Sequence, residues 1–142
     1  MKYDVYKSVD ICIGMMPTRL VLMGFSSSKE ERLRNDYAAF TFPGSENIPY
    51  LTIDIEHGDT FNRVEKGEWL VRSSISSGKI KFTSYYEQGW FDLNSMQGEL
   101  VMRPEGDPEN FLRVIYAWRC LEQGALLLHA SGVIRNGKGY CQ

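Results

Sequence analysis

The segment Gly132-Val133-Ile134-Arg135-Asn136-Gly137-Lys138-Gly139 carries the spacing of a phosphate-binding loop, a glycine, four residues and Gly-Lys. That chemistry also needs a Ser or Thr hydroxyl after the lysine to hold magnesium, and a helix whose N-terminus faces the phosphates. Gly139 stands where the hydroxyl is required, and only three residues follow it in the sequence. Val133 and Ile134 suit a strand, and Asn136-Gly137 is a strong hairpin signal. The segment therefore reads as a β-hairpin, and the loop match as a coincidence of glycines.

His129 and Ser131 are the next pair that could do chemistry. Two residues apart on a strand they share a face. A nucleophilic Ser–His pair needs direct hydrogen-bond reach and a third orienting group, which the sequence does not identify. His129 lies in the apolar run Ala125 to Ile134, where a histidine is either a core residue with satisfied ring nitrogens or a group facing a phosphate or general-base partner. Asp54, Glu56, His57 and Asp59 form the densest cluster of metal-ligand types. On a strand Asp54 and Glu56 share a face and His57 points away, so a solvated strand edge closed by a Gly58-Asp59 turn accounts for them better than a metal site.

A third set mixes aromatic and basic residues: Trp69, Arg72, Lys79, Lys81, Tyr85, Tyr86 and Trp90. Such residues can stack bases and hold phosphates. The net charge of −2 argues against it, because nucleic-acid binding draws its affinity from clustered cations. No nucleic-acid partner is expected. The cysteines Cys12, Cys120 and Cys141 are odd in number, distant, and outside any C-x-x-C pattern. They read as free thiols in a reducing compartment. The N-terminus lacks the apolar run of a signal peptide, and no segment approaches the roughly 20 apolar residues of a membrane span. The expected location is the cytoplasm, without membrane contact.

The elements that must position these residues are mostly strands. With 142 residues, 43% hydrophobic and 24% charged, the chain is long enough for one β-rich domain with its own core, spanning 1–142. Tyr3, Val5, Val9, Ile11 and Ile13 fall on odd positions, giving one buried strand face. Pro17 is expected to break that run before a second apolar segment, Leu20 to Phe25. Ser26 to Asp36 is a solvated loop or a short helix capped by Ser28, with Glu31 at the capping-box spacing. Leu51 to Ile55 alternates. Trp69 to Ile75, Lys79 to Tyr86, Trp90 to Leu93 and Glu99 to Met102 read as further strands. Ser76 to Gly78, Glu87 to Gly89 and Asn94 to Gly98 are the expected turns. Lys79 and Lys81 share one strand face, Ile80 and Phe82 the other.

One helix is well specified. Asp107 caps it, Pro108 occupies its first position and Gly124 stops it. Its apolar residues are Phe111, Leu112, Val114, Ile115, Trp118, Cys120 and Leu121. The run Ala125 to Ile134 then suits a strand buried on both faces. Together these features predict an α+β fold: a mainly antiparallel meander of about six to eight strands, one long helix in the C-terminal half packed on the sheet, and a closing β-hairpin.

Leu126-Leu127-Leu128-His129-Ala130-Ser131-Gly132-Val133, the Asn136-Gly137 hairpin and Gly139-Tyr140 resemble the entry to the kinase domain of HPr kinase/phosphorylase-related proteins. The wider group includes phosphoenolpyruvate carboxykinase-like P-loop proteins. The likeness covers residues 108 to 142 specifically and the earlier part only in general pattern. It implies that His129 falls where these kinases place a histidine used in phosphoryl transfer. It also implies that the strand begun at Tyr140 leads to a glycine-rich loop ending in Gly-Lys-Ser/Thr. ATP and magnesium would belong to that loop, and this chain ends before it. No loop lysine, loop hydroxyl or downstream carboxylate is present to position and stabilise a transferring phosphoryl group.

The reading that follows is a non-catalytic N-terminal portion of an HPr-kinase-like protein, serving assembly or partner docking, with no cofactor of its own. The alternatives are a free-standing β-rich binding module, and a remnant enzyme using His129 on a phosphorylated ligand. The open return strand at Gly139 to Gln142 is expected to mark a truncated hairpin and to invite self-association through its strand edge.

Overall fold

Val9 and Ile11 point to one side of their strand and are buried, while Asp10 between them is not. The same alternation recurs along the chain and builds a seven-stranded sheet. The computed structural model describes residues 7–44, 46–62, 71–127 and 132–141. The sheet comprises β1 (Lys7–Ile13), β2 (Met16–Met23), β3 (Tyr50–Ile55), β4 (Arg72–Ser76), β5 (Lys79–Thr83), β6 (Glu87–Asp92) and β7 (Gln97–Met102), in the order β1-β2-β3-β7-β6-β5-β4. β4 to β7 form the predicted antiparallel meander, and β1 and β2 an antiparallel hairpin. β3 joins the two blocks by pairing in parallel with both β2 and β7.

The parallel β2–β3 step requires a crossover, and helix α1 (Ser27–Asp36) with a short 3-10 turn (Ala38–Phe40) supplies it. Of the two readings of this segment, the helix is the correct one. Its cap is Ser26 rather than Ser28: the Ser26 hydroxyl accepts the Lys29 N–H at 3.3 Å. Pro17 does not break the first sheet segment either. The chain reverses at Gly14-Met15, and Pro17 lies inside β2, opposite Cys12. Its missing N–H costs nothing. The Arg19 N–H bonds Pro49 O on the β3 side, and by alternation the Pro17 nitrogen faces the same side beyond the end of β3.

Two turn expectations shift. Glu87-Gln88-Gly89 opens β6, and the reversal before it falls at Ser84 to Tyr86, closed by the Ser84 N–H to Glu87 O bond at 2.8 Å. Leu93 to Met96 makes the next turn, with Met96 N–H bonded to Asp92 O at 2.7 Å. Lys79, Ile80, Lys81 and Phe82 alternate exposed and buried as read from the sequence.

Helix α2 (Glu109–Glu122) lies across the inner face. Asp107 Oδ1 accepts the Glu109 N–H at 2.8 Å, and Pro108 already has helical dihedrals (φ −75°, ψ −6°). At the other end Gly124 N–H bonds Leu121 O. Phe111, Leu112, Ile115 and Tyr116 of α2 are buried in one cluster with Leu20, Leu51, Ile53, Ile80, Phe82, Phe91, Leu100 and Met102 of the sheet. The Phe82 and Phe111 rings meet at 5.0 Å between centroids. Truncating either would cost about 3–5 kcal/mol. Leu33 of α1 joins the same cluster, so both helices serve one face of the sheet.

The closing hairpin is present as β8 (Gly132–Arg135) and β9 (Lys138–Cys141), which among the described residues pair only with each other. Asn136 and Gly137 both have positive φ (52° and 71°), the geometry of a two-residue type I′ turn. Of the strand expected over 125–134, residues 125–127 belong to no strand, Gly132–Arg135 forms β8 and 128–131 lie outside the described residues; Leu126 and Leu127, expected inside, are exposed. A run of leucines fits any apolar setting, and periodicity cannot separate a buried strand from an uncovered connection. No helix among the described residues is long and apolar enough to cross a membrane.

Candidate functional site

His129 and Ser131 lie outside the described residues, as does Trp69. The phosphate-loop lookalike is the β8–β9 hairpin, with Lys138 paired opposite Arg135. The acidic cluster is spread along a strand end rather than gathered. Asp54 is on β3, the Glu56 N–H bonds Met102 O at 2.9 Å, and His57 is exposed. Arg103 fixes this turn by donating to Asp59 O at 2.7 Å and Glu56 O at 3.2 Å, with its guanidinium 4.2 Å from the centre of the Phe61 ring. The turn is held by its backbone carbonyls. Among the described residues no three His, Cys, Asp or Glu side chains come together as a metal set. Cys12 is half-buried and Cys120 buried, both as free thiols.

Beneath the sheet the most unusual group is Arg119. It is 4% exposed, yet among the described residues no carboxylate pairs with it. Nη1 donates to Thr18 Oγ1 at 2.6 Å and Nη2 to Pro17 O at 3.1 Å, while Nε has no partner among the described residues. The guanidinium lies 5.1 Å from the Tyr116 ring centre. The Tyr116 hydroxyl shares a hydrogen bond with Thr18 Oγ1 at 2.7 Å and donates to Met16 O at 3.1 Å. Burial lowers the Arg119 pKa and raises that of Tyr116. The cluster ties α2 to the start of β2 with neutral acceptors and a ring face. The sequence carried one sign of it: Arg119 follows Phe111, Leu112, Ile115 and Tyr116 on the helical repeat that is otherwise apolar.

A second buried polar group fixes the other end of α2. Glu87, 7% exposed, accepts the Ser84 hydroxyl and the Asp107 N–H, the latter at 2.8 Å. Nearby, Lys29 Nζ donates to Pro104 O and Gly106 O across a cleft of about 180 Å³ between α1 and the β7–α2 turn. Its cation is therefore spent on holding the turn. An apolar groove of about 170 Å³ runs beside α2 between Ile13, Tyr37, Leu112, Tyr116 and Leu127.

The outer face of the sheet is different in kind. Cross-strand partners place Lys81, Trp90 and Glu99 on one row over β5, β6 and β7. The next row carries Arg72, Thr83, Gln88, Val101 and Asp54 from β4 to β3. Lys79 Nζ sits 4.5 Å from the Trp90 ring centre. Lys79, Lys81, Gln88, Trp90 and Glu99 help line a shallow hollow of about 330 Å³. Of the aromatic and basic residues singled out from the sequence, these two rows hold Arg72, Lys81 and Trp90, and Lys79 lies on the same face one row away, opposite Asp92. Tyr85 and Tyr86 pack edge to face, 4.7 Å apart, at the β5–β6 turn. Glu99, Gln88 and Asp54 were not foreseen there, because pairing register is a property of the folded sheet. Chemically this face is a mixed-charge surface with an aromatic centre.

No protein-family model matches this chain, and no curated protein or solved structure matches it either.

Proposed function

We propose that this chain is a non-catalytic portion of an HPr-kinase-like protein, a sheet-and-helix platform for assembly or partner docking that leads into a nucleotide-binding unit. The observation that carries the reading is the order of elements after α2. Exposed Leu126 and Leu127 are followed by a hairpin that pairs with no strand of the seven-stranded sheet. Exposed leucines next to a self-paired hairpin suit a segment covered by another folded unit. The residues of the resemblance, Leu126 to Val133 with Asn136-Gly137 and Gly139-Tyr140, occupy this same segment.

On this reading β9 is the return strand that delivers a phosphate loop, ATP and magnesium belong to that loop, and His129 contributes to phosphoryl transfer only beside it. The seven-stranded sheet performs no chemistry and supplies a rigid support. Reading the coding sequence beyond the Gln142 codon tests this. A glycine-rich loop closing in Gly-Lys-Ser or Gly-Lys-Thr is expected, and a stop codon in that place would overturn the proposal.

A further inference from the structure

We infer that the outer face of the sheet, centred on Trp90, is a self-complementary contact surface that pairs two copies of this chain about a two-fold axis running along β6. The inference rests on register. Lys81 and Glu99 are the two cross-strand neighbours of Trp90, one strand to either side. On the adjacent row Arg72 lies two strands from β6 on one side and Asp54 two strands from it on the other. Opposite charges therefore sit at equal distances from β6, and each pair sits at one level along the strands.

A rotation of half a turn about an axis parallel to β6, just above the face, exchanges the two sides of the sheet and keeps each level in place. It brings Lys81 of one copy over Glu99 of the other, and Arg72 over Asp54, each pair occurring twice, as an isologous contact requires. Trp90 meets Trp90 at the centre, flanked by Val101 and Thr83. A central aromatic with a charged surround is the usual layout of a protein contact.

No described residue already uses these charges. Among the described residues Arg72, Lys81, Asp54 and Glu99 take part in no ion pair, whereas Asp10, Arg19, Glu30 and Glu109 do. The described helices cover only the inner face. The same rotation sets Asp92 against its own copy, at the rim. There Lys79 is its cross-strand partner, and solvent screens the repulsion. A second copy fits better than a polyanion because Glu99 and Asp54 lie on the same surface as the cations. The contact is placed on the sheet face rather than on the strand edge that the sequence suggested. It specifies the assembly role proposed above and does not depend on a phosphate loop.

The test is sedimentation velocity on the 142-residue chain, on Lys81→Glu and Glu99→Lys singly, and on their equimolar mixture, with circular dichroism melting to show that each is folded. Both positions are exposed. The wild-type chain is expected to be dimeric at about 100 µM and to dissociate as salt is raised. Each single reversal sets like charges together and is expected to give monomers. The mixture restores both pairs in a heterodimer and is expected to recover the dimer. If either variant fails to fold, Trp90→Ala and the salt series on the wild-type chain carry the test, both expected to lower the dimer fraction. A monomeric wild-type chain would overturn the inference, as would a dimer indifferent to these changes or a mixture that stays monomeric. The downstream coding sequence would be unaffected by any of these results, so the two proposals fail separately.

Discussion

Arg119 Nη1 donates to Thr18 Oγ1 at 2.6 Å across 101 residues of sequence, and among the described residues no acidic side chain pairs with this buried charge. A buried cation with neutral acceptors depends on every one of them, since removing an acceptor leaves desolvated charge behind. Thr18→Val removes the acceptor at nearly constant volume and is expected to cost about 2 kcal/mol. Arg119→Met removes the charge and fills part of the space. In the Arg119→Met background the Thr18→Val penalty should shrink by about 1 kcal/mol or more, a non-additivity that urea denaturation of the cycle measures.

Tyr116 adds a pH dependence to the same cluster. Burial raises its pKa above 10.0, against the opposing influence of the Thr18 hydrogen bond and the Arg119 charge. The folded chain thus keeps a proton that the unfolded chain has half lost at pH 10.0. Well below that pH the group adds no slope. Above it, stability should fall by about 1.4 kcal/mol per pH unit from Tyr116 alone, until the folded phenol itself ionises. Tyr37, also raised by burial, steepens the decline. Denaturation midpoints measured on the alkaline side should flatten in Tyr116→Phe, although that variant starts from a lower stability.

Ser26→Ala should destabilise the chain by about 1 kcal/mol, because Ser26 holds the Lys29 N–H at the start of α1. Ser28→Ala should change stability by less than about 0.5 kcal/mol. Thermal melts of the two variants compare them directly, and equal effects would contradict the assigned cap.

Gly24 ends β2 with φ +70°, and a Cβ there would stand 2.8 Å from Ile55 O, a backbone atom with little room to move. Gly24→Ala should cost more than the ~1 kcal/mol of backbone strain alone. The expected readout is a lowered melting temperature with the circular dichroism spectrum of the folded state retained.

Local alternation was enough to read Val9 and Ile11, Leu51 and Ile53, and Ile80 and Phe82 as inward residues, and Asp107-Pro108 with Gly124 as the limits of α2. These are decided by neighbours in sequence. The cap of α1 was misplaced because three serines in a row offer the same hydroxyl, and only the backbone path decides which one faces the open N–H. Pro17 misled because its tolerance depends on where β3 ends, which is a fact about another strand. The parallel placing of β3 and the row joining Lys81, Trp90 and Glu99 come from long-range pairing. That pairing also decides which charges share a surface. Arg119 was readable as a break in an apolar repeat, but its acceptors on β2 were not. The leucines at 126 and 127 were read as interior because their type says only that they seek cover, not what supplies it.

On the function proposed above, these 142 residues form a support without the cradle that a nucleotide's phosphates need. Isothermal titration calorimetry with magnesium and ATP tests this most directly. The expected result is no binding heat beyond dilution, for the wild-type chain and for Lys138→Ala alike. Saturable one-to-one binding that Lys138→Ala abolishes would contradict the account, since it would make the β8–β9 turn a phosphate site after all.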